Sequence, residues 1–339
     1  MTWKFQSAVA SFEDARSDWD ALNQAKGNHI ALDSGFVGSL LRHFGNERIT
    51  LARNNGSANP GIALLVRQGA GRWETFQPSQ APLGLILLGR RDDSGDALLE
   101  LARALPGYVL QLSVLQQDQD FSSFPAHSNG GRLQNLNYVE TARITLNGTF
   151  EDYWKARGTN LRHNLSRRRR RMTEKGYSLE LTEIRAHGDV DKALREYGHL
   201  ESKGWKAGEG TAVSEDNVQG RFYREVFEYF CTRGEGIIYQ LRLNGRVAAS
   251  DLCLVRDGMM VVLKTAYDEE LNEFSPAMLM REEILRKAYG SGQVRVIEFY
   301  GRVMEWHTKW SQEIRTIYHV NLFRHPWVAP LKKFVGRFR

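Results

Sequence analysis

The sequence predicts an α+β fold in two domains, each built on a mostly antiparallel sheet flanked by helices. Three observations lead there. The chain has 339 residues with 42% apolar and 25% charged side chains, which suits two domains of ordinary globular composition. In the second half, helix-period segments come first. Three strand-period runs then follow, divided by Asn244-Gly245 and Asp257-Gly258, the turn pairs of tight hairpins. A strand, loop, helix and strand close the order, which places helices beside an antiparallel meander.

Taken along the chain, Glu13 to Gln24 and Ser34 to Phe44 read as helices, the second capped by Ser34 and stopped by Gly45. Strands follow at Arg48 to Ala52, Ile62 to Val66 and Arg72 to Phe76, then a helix at Gly95 to Leu105 and a strand at Gly107 to Leu115. Residues 116 to 132 are polar and loop-like. The second domain opens with a strand at Val139 to Leu146. Thr149 caps a helix through Trp154, and a basic helix runs from Asn160 to Lys175. A strand at Tyr177 to Ile184 leads to helices at Asp189 to Lys203 and Asp216 to Cys231. Strands at Gly236 to Leu243, Arg246 to Val255 and Met259 to Tyr267 form the meander. Ser275 to Tyr289 is a helix, Val294 to Phe299 a strand, Arg302 to Trp310 a helix and Ile314 to Leu322 a last strand. The expected domains are residues 1–140 and 141–325, with a basic amphipathic tail at 326–339. The first half carries a looser version of the second half's ingredients, without a sequence repeat.

Charge is concentrated. The formal net charge is +6, yet Lys155 to Lys175 alone carries nine basic residues and one acid, so the rest of the chain is close to neutral. Five consecutive arginines, Arg167 to Arg171, cover more than one helical turn and cannot share a ligand. Two or three of them, Arg167 and Arg168 foremost, can reach a phosphate, while the others suit solvent and acidic partners. No aromatic residues interleave with them, which disfavours stacking on single-stranded nucleic acid. The longest apolar run, Ala81 to Gly89, is too short to span a bilayer, and the first 19 residues lack the apolar core of a signal peptide. Two cysteines without a Cys-x-x-Cys pair argue against a disulfide scaffold or thiolate metal site and fit a reducing cytoplasm; no metal is expected. Phosphate-loop, dinucleotide, nucleophile-elbow and zincin signatures are all absent.

Four segments carry a family resemblance over roughly residues 150–320. They are Leu165 to Arg171; Glu201-Ser202-Lys203-Gly204-Trp205-Lys206 with Gly210-Thr211-Ala212; Leu263 to Asp268 running into Phe274-Ser275-Pro276-Ala277-Met278-Leu279; and Glu298-Phe299-Tyr300-Gly301 with Trp306-His307-Thr308-Lys309-Trp310. In this order they resemble the CelD-like, FemAB-related branch of the GNAT acyltransferase superfamily. Ala277 stands where the family often has Gly, and His307 where it commonly has Lys. The resemblance implies tandem GNAT-like domains, the first degenerate, and an acyl group moved from acyl-CoA to an amine or hydroxyl. It suggests a polysaccharide or cell-envelope precursor as acceptor. Direct attack on the thioester needs no enzyme nucleophile.

The residues themselves offer candidates. Ser275 and Pro276 suit the start of a helix, whose unpaired N–H groups attract anions. Spacing alone reads as a plain capped helix; the resemblance implies that Ser275, Pro276, Ala277 and Met278 hold coenzyme A phosphates. Asp251 lies inside an apolar strand, where an acid is expensive unless paired. It reads either as a general base or as the ion-pair partner of Lys264. His307 and Glu298 are the other candidate bases, and His307 can equally be packed between Trp306 and Trp310. Glu201, Trp205, Lys206, Lys264, Tyr267 and Tyr300 are candidates to bind substrate, with Trp205 equally able to plug the core. The tail has Trp327, Leu331 and Phe334 among Lys332, Lys333 and Arg337, and either docks on the protein or lies on an anionic membrane. Three rival functions remain: an aminoacyl-tRNA-dependent FemAB-like transferase, a long-chain lipid N-acyltransferase, and a non-catalytic membrane-surface scaffold of an envelope-synthesis system.

Overall fold

The computed structural model describes residues 3–56, 60–89, 94–122, 124, 131–203, 213–214 and 217–327. It divides into two compact units, Met1–Glu140 with Thr316–Arg339, and Thr141–Arg315.

In the first unit β1 (Lys4–Ser7) leads into α1 (Ala8–Ala25) and α2 (Ser34–Phe44). The cap of α2 is Asp33, whose carboxylate accepts from Gly35 N at 2.7 Å; the expected cap, Ser34, instead donates to Asp20 at 2.6 Å. Strands β2 (Ile49–Asn54), β3 (Gly61–Gly69), β4 (Arg72–Thr75) and β5 (Ile86–Leu88) follow, then α3 (Ser94–Ala104) and β6 (Gln111–Gln117). β1, β2, β3 and β4 pair antiparallel in sequence, β5 adds to β3, and β4 pairs parallel with β6. The last strand of the chain, β13 (Glu313–Phe323), pairs antiparallel with β6. It brings Tyr318, Val320 and Leu322 into this unit's core beside Leu98, Leu112 and Val114. The expected second domain therefore runs too far: its last residues pack in the first core because their strand partner is there.

The second unit takes the end of β7 (Leu133–Thr145), then α4 (Phe150–Lys155), α5 (Thr159–Glu174), β8 (Leu179–Ile184), α6 (Val190–Lys203) and α7 (Val218–Thr232). The meander is β9 (Gly236–Leu243), β10 (Arg246–Arg256) and β11 (Met259–Tyr267), followed by α8 (Pro276–Ser291), β12 (Val296–Glu298) and α9 (Glu305–Trp310). The strand order is β7-β12-β11-β10-β9-β8. Every pairing is antiparallel except that of β11 with β12. Both hairpin turns form as the sequence predicts, with positive φ at Asn244 and Gly245 and at Asp257 and Gly258.

Alternation along β9 separates the two faces. Ile237, Tyr239, Leu241 and Leu243 enter a core with Leu161, Leu165 and Met172 of α5 and Met280, Ile284 and Leu285 of α8. On the opposite face Gln240 reaches Ala193 O of α6, and α7 lies against β9. The apolar stripe of α5 is what holds the arginine-rich helix to the sheet.

Candidate active site

Register creates the cleft. β11 pairs with β12 only over Met259 to Val261, while on its other side it continues along β10 to Tyr267. Between Leu252 and Cys253 of β10 the register shifts, so that Leu263 of β11 is an extra residue. Such a bulge bends a strand and re-aims its side chains. Beyond it β11 leaves β12 behind, and a cleft of about 700 Å³ opens there, lined by Leu263 to Tyr267, Ser275 to Met278, Phe299, His307 and Trp310, among others.

At one side Lys264 Nζ lies 2.9 and 3.1 Å from the two oxygens of Glu201. The Glu201 carboxylate also accepts from Tyr197 Oη at 3.1 Å and Val213 N at 2.8 Å. Burial and the neighbouring Glu201 charge push the Tyr197 hydroxyl far above its usual range, so it remains a donor. Glu201 and Lys264 both line the cleft, as does the exposed Tyr267. Trp205 and Lys206 lie outside the described residues.

The three expected bases are differently placed. Asp251 is fully buried and is not among the cleft-lining residues. Its partner is not Lys264: Thr265, directly opposite across the strands, donates to Oδ1 at 2.6 Å, and Arg281 Nη2 lies 2.6 Å from Oδ2. Burial raises its pKa, and Arg281 followed by the Thr265 hydrogen bond opposes the rise. Glu298 is also fully buried and outside the lining set, with Arg143 on one oxygen and Arg315 Nη2 at 2.7 Å on the other. Neither carboxylate lines the cleft. His307 does line it, but its Nδ1 accepts the N–H of Met304 at 2.9 Å. Burial and the charge of Arg281 lower its pKa to about 4. At neutral pH it is an uncharged imidazole with its proton on Nε2, and thus a hydrogen-bond donor rather than a base.

The anion turn is sparse. Ser275 has φ 49° and ψ 62°, a left-handed conformation, and makes no side-chain cap bond to α8. Pro276 has no N–H, and the N–H groups of Met278 and Leu279 bond back to Ser275 O. Tyr300, also at positive φ, is the centre of a three-residue turn closed by Gly301 N to Phe299 O at 2.6 Å. It lies outside the lining set, although Phe299 and Gly301 belong to it.

The arginines of α5 divide as their spacing requires. Arg169 binds Glu282 and Glu283 of α8, Arg170 pairs with Glu174, and Arg171 approaches Glu273. Arg167 bonds to Asn164 of its own helix. Arg168 reaches the carbonyl of Asn272, a cleft-lining residue, at 3.3 Å. Burial, then Arg167 and Arg171, lower the Arg168 pKa.

Two cleft residues were not anticipated as functional. Arg281 is 2% exposed and stacks over Phe299 at 5.0 Å; its Nε and Nη1 have no hydrogen-bond partner among the described residues. Trp310 is fully buried with its Nε1 likewise unpartnered. The sequence does hold a signal for Arg281: it shares the stripe of Leu285 and Ala288, a buried position where an arginine needs a reason. Among the described residues, no group of acids, histidines or cysteines is arranged to hold a metal, and no helix is long and apolar enough to cross a membrane.

Comparison with known proteins adds the following. Residues 159–327 match the family model described as "Acetyltransferase (GNAT) domain". No curated protein matches the sequence. Among solved structures, the C-terminal domain of a putative lysylphosphatidylglycerol synthetase from Agrobacterium fabrum is 15% identical, with 95% of each chain covered and a TM-score of 0.55. L-PGS from Bacillus licheniformis is 14% identical, with 91% of each chain covered and a TM-score of 0.53. FemX is 10% identical, with 94% of this chain and 98% of that chain covered and a TM-score of 0.55. At these identities the likeness is one of fold.

Proposed function

We propose, for a chain that carries a GNAT-type transferase domain in a GNAT/FemAB-like fold, that it moves an acyl group from acyl-CoA directly to an amine or hydroxyl bound in the β11 cleft. The observation that carries this reading is the parting of β11 from β12 at the Leu263 bulge. It leaves the Lys264 to Ala266 edge without a β12 partner, beside the start of α8. A free strand edge offers alternating N–H and C=O groups to an extended amide-bearing chain such as the acyl-carrying arm of coenzyme A. The edge fits that arm, and Ala277 N–H and Arg168 are the groups that would meet its phosphates. Bound there, acyl-CoA supplies the activated carbonyl. The acceptor's nitrogen or oxygen forms the new bond to the acyl carbon as the C–S bond of the thioester breaks and coenzyme A leaves as its thiolate. His307 Nε2–H is a neutral donor for the carbonyl oxygen, and the Lys264–Glu201 pair orients the acceptor. With Asp251 and Glu298 walled off, the acceptor's proton leaves to water at the open mouth. Transfer rate should therefore rise with pH along the acceptor's own titration, without an inflection belonging to His307 near neutrality.

A second reading has its own observation. Pro276 in place of an N–H, Ala277 in place of Gly and the inward bonds of Met278 and Leu279 leave few backbone donors for a pyrophosphate. Arg167 and Arg168, which bond to Asn164 and the Asn272 carbonyl and pair with no acid among the described residues, instead suit a nucleic-acid backbone, so an aminoacyl-tRNA donor competes with acyl-CoA. One structure of similar fold is named as a domain of a putative lysylphosphatidylglycerol synthetase, which supports an envelope precursor or lipid as acceptor in either case. Thermal melts with coenzyme A, acetyl-CoA, a long-chain acyl-CoA and aminoacylated tRNA separate the donors: the true donor raises the melting temperature with dose. No shift with any thioester would overturn the first reading, and no shift with any of them would leave the scaffold role.

A further inference from the structure

We infer that the part of the cleft lined by Arg281 and Trp310, which carry buried unpartnered donors, is a recognition site for an oxyanion of the acceptor, a carboxylate or phosphate group. The inference rests on the cleft being the acceptor cleft of a transferase and names what that acceptor carries. Native proteins seldom leave buried polar groups unpaired, and each instance calls for an explanation. Here three occur together in cleft-lining residues: Arg281 Nε, Arg281 Nη1 and Trp310 Nε1. All are donors.

The chemistry of the complementary group follows. A hydroxyl or amide would bring donors of its own to these three donors, and an ammonium would meet the guanidinium charge. A group made only of acceptor oxygens satisfies the set. The carboxylates near the site already face cations. Asp251 Oδ2 lies 2.6 Å from Arg281 Nη2, with Thr265 on its other oxygen, and Glu201 holds Lys264. Asp251 thus acts as a positioning residue: it fixes the guanidinium and leaves two of its nitrogens for a ligand. Phe299 against the guanidinium and Trp154 stacked on Trp310 hold both donors in place.

The test uses the full chain and small anions without any acyl donor. Acetate, succinate and inorganic phosphate are titrated against sodium chloride of equal ionic strength, with melting temperature as readout. A carboxylate or phosphate should stabilise the protein beyond chloride, and the more effective of the two identifies the source of the oxyanion. Trp310→Phe, which keeps the ring stack and removes one donor, should weaken that anion several-fold. The paired change Arg281→Gln with Asp251→Asn, which removes both buried charges together, should weaken it at least tenfold. Stabilisation of each variant by coenzyme A or tRNA, whichever protects the wild type, reports that the rest of the cleft is intact. If no carboxylate or phosphate exceeds chloride, or if the folded variants respond as the wild type does, the inference is overturned. Failure of the donor arm with a retained anion response would instead overturn the donor assignment alone.

Discussion

At the scale of single residues, the site depends on which charges are sealed and which remain within reach. Asp251 and Arg281 are each at most 2% exposed and neutralise one another. Removing one partner leaves the other buried alone, a change that costs about 3–5 kcal/mol. Asp251→Ala should therefore lower stability by about that much in denaturant titrations, and Asp251→Asn by less, because Thr265 keeps a hydrogen-bond partner. His307 behaves oppositely to an ordinary surface histidine. Its pKa is lowered from the usual 6.5 to about 4. Between those values the unfolded chain holds a proton that the folded chain does not, so stability rises with pH across the window and is fully present above it. The contribution is lost progressively as the pH falls from 6.5 to 4. Melts from pH 7 to 4 should show it, and His307→Gln, which does not titrate, should flatten that part of the curve. Glutamine also offers an N–H, so His307→Gln should retain more transfer activity than His307→Ala.

At the scale of elements, the strained turn before α8 is the most informative. Ser275 sits at positive φ without a cap bond, and Gly would adopt that conformation without the Cβ clash. Ser275→Gly should raise stability by up to about 1 kcal/mol, measured as a shift in the thermal midpoint. Ala277→Gly tests the neighbouring position differently: if coenzyme A phosphates settle on this turn, closer backbone approach should tighten coenzyme A binding several-fold with little effect on stability. An unchanged affinity would count for the tRNA reading. The bulge at Leu263 is the other decisive element. Restoring regular pairing by deleting Leu263 would turn Lys264 away from Glu201, because each one-residue slip exchanges the faces of a strand.

At the scale of the whole molecule, the chain passes between its two units twice, at residues 140/141 and 315/316. The last strand supplies Tyr318, Val320 and Leu322 to the first core. Truncation after Arg315 should therefore destabilise the first unit, although it removes residues that follow the second in sequence. Hydrogen exchange would detect this as lost protection in β3, β4 and β6, with β9 to β11 retained. A uniform loss across both units would contradict it.

Much of this protein was legible in its residues because the signals were local. Asn244-Gly245 and Asp257-Gly258 determined the meander through turn geometry, and the leucines of α5 determined which side of the arginine run faces the core. The positive segment itself follows from composition, and the Lys264, Ser275 and His307 segments stand out in the residues alone. What only the tertiary structure decided was pairing across distance. Asp251 looked like a base or a partner of Lys264, and 30 residues separate it from the arginine that holds it. Glu298 looked reactive until Arg143 and Arg315 converged on it from other elements. His307 carried the right residue type, but a backbone N–H three residues away fixed its proton on the other nitrogen. The cleft depends on one extra residue in β11, a register effect that no periodicity displays. Local steric and turn preferences are written in neighbouring residues, whereas the electrostatic meaning of a buried charge is set by whichever groups the fold brings to it.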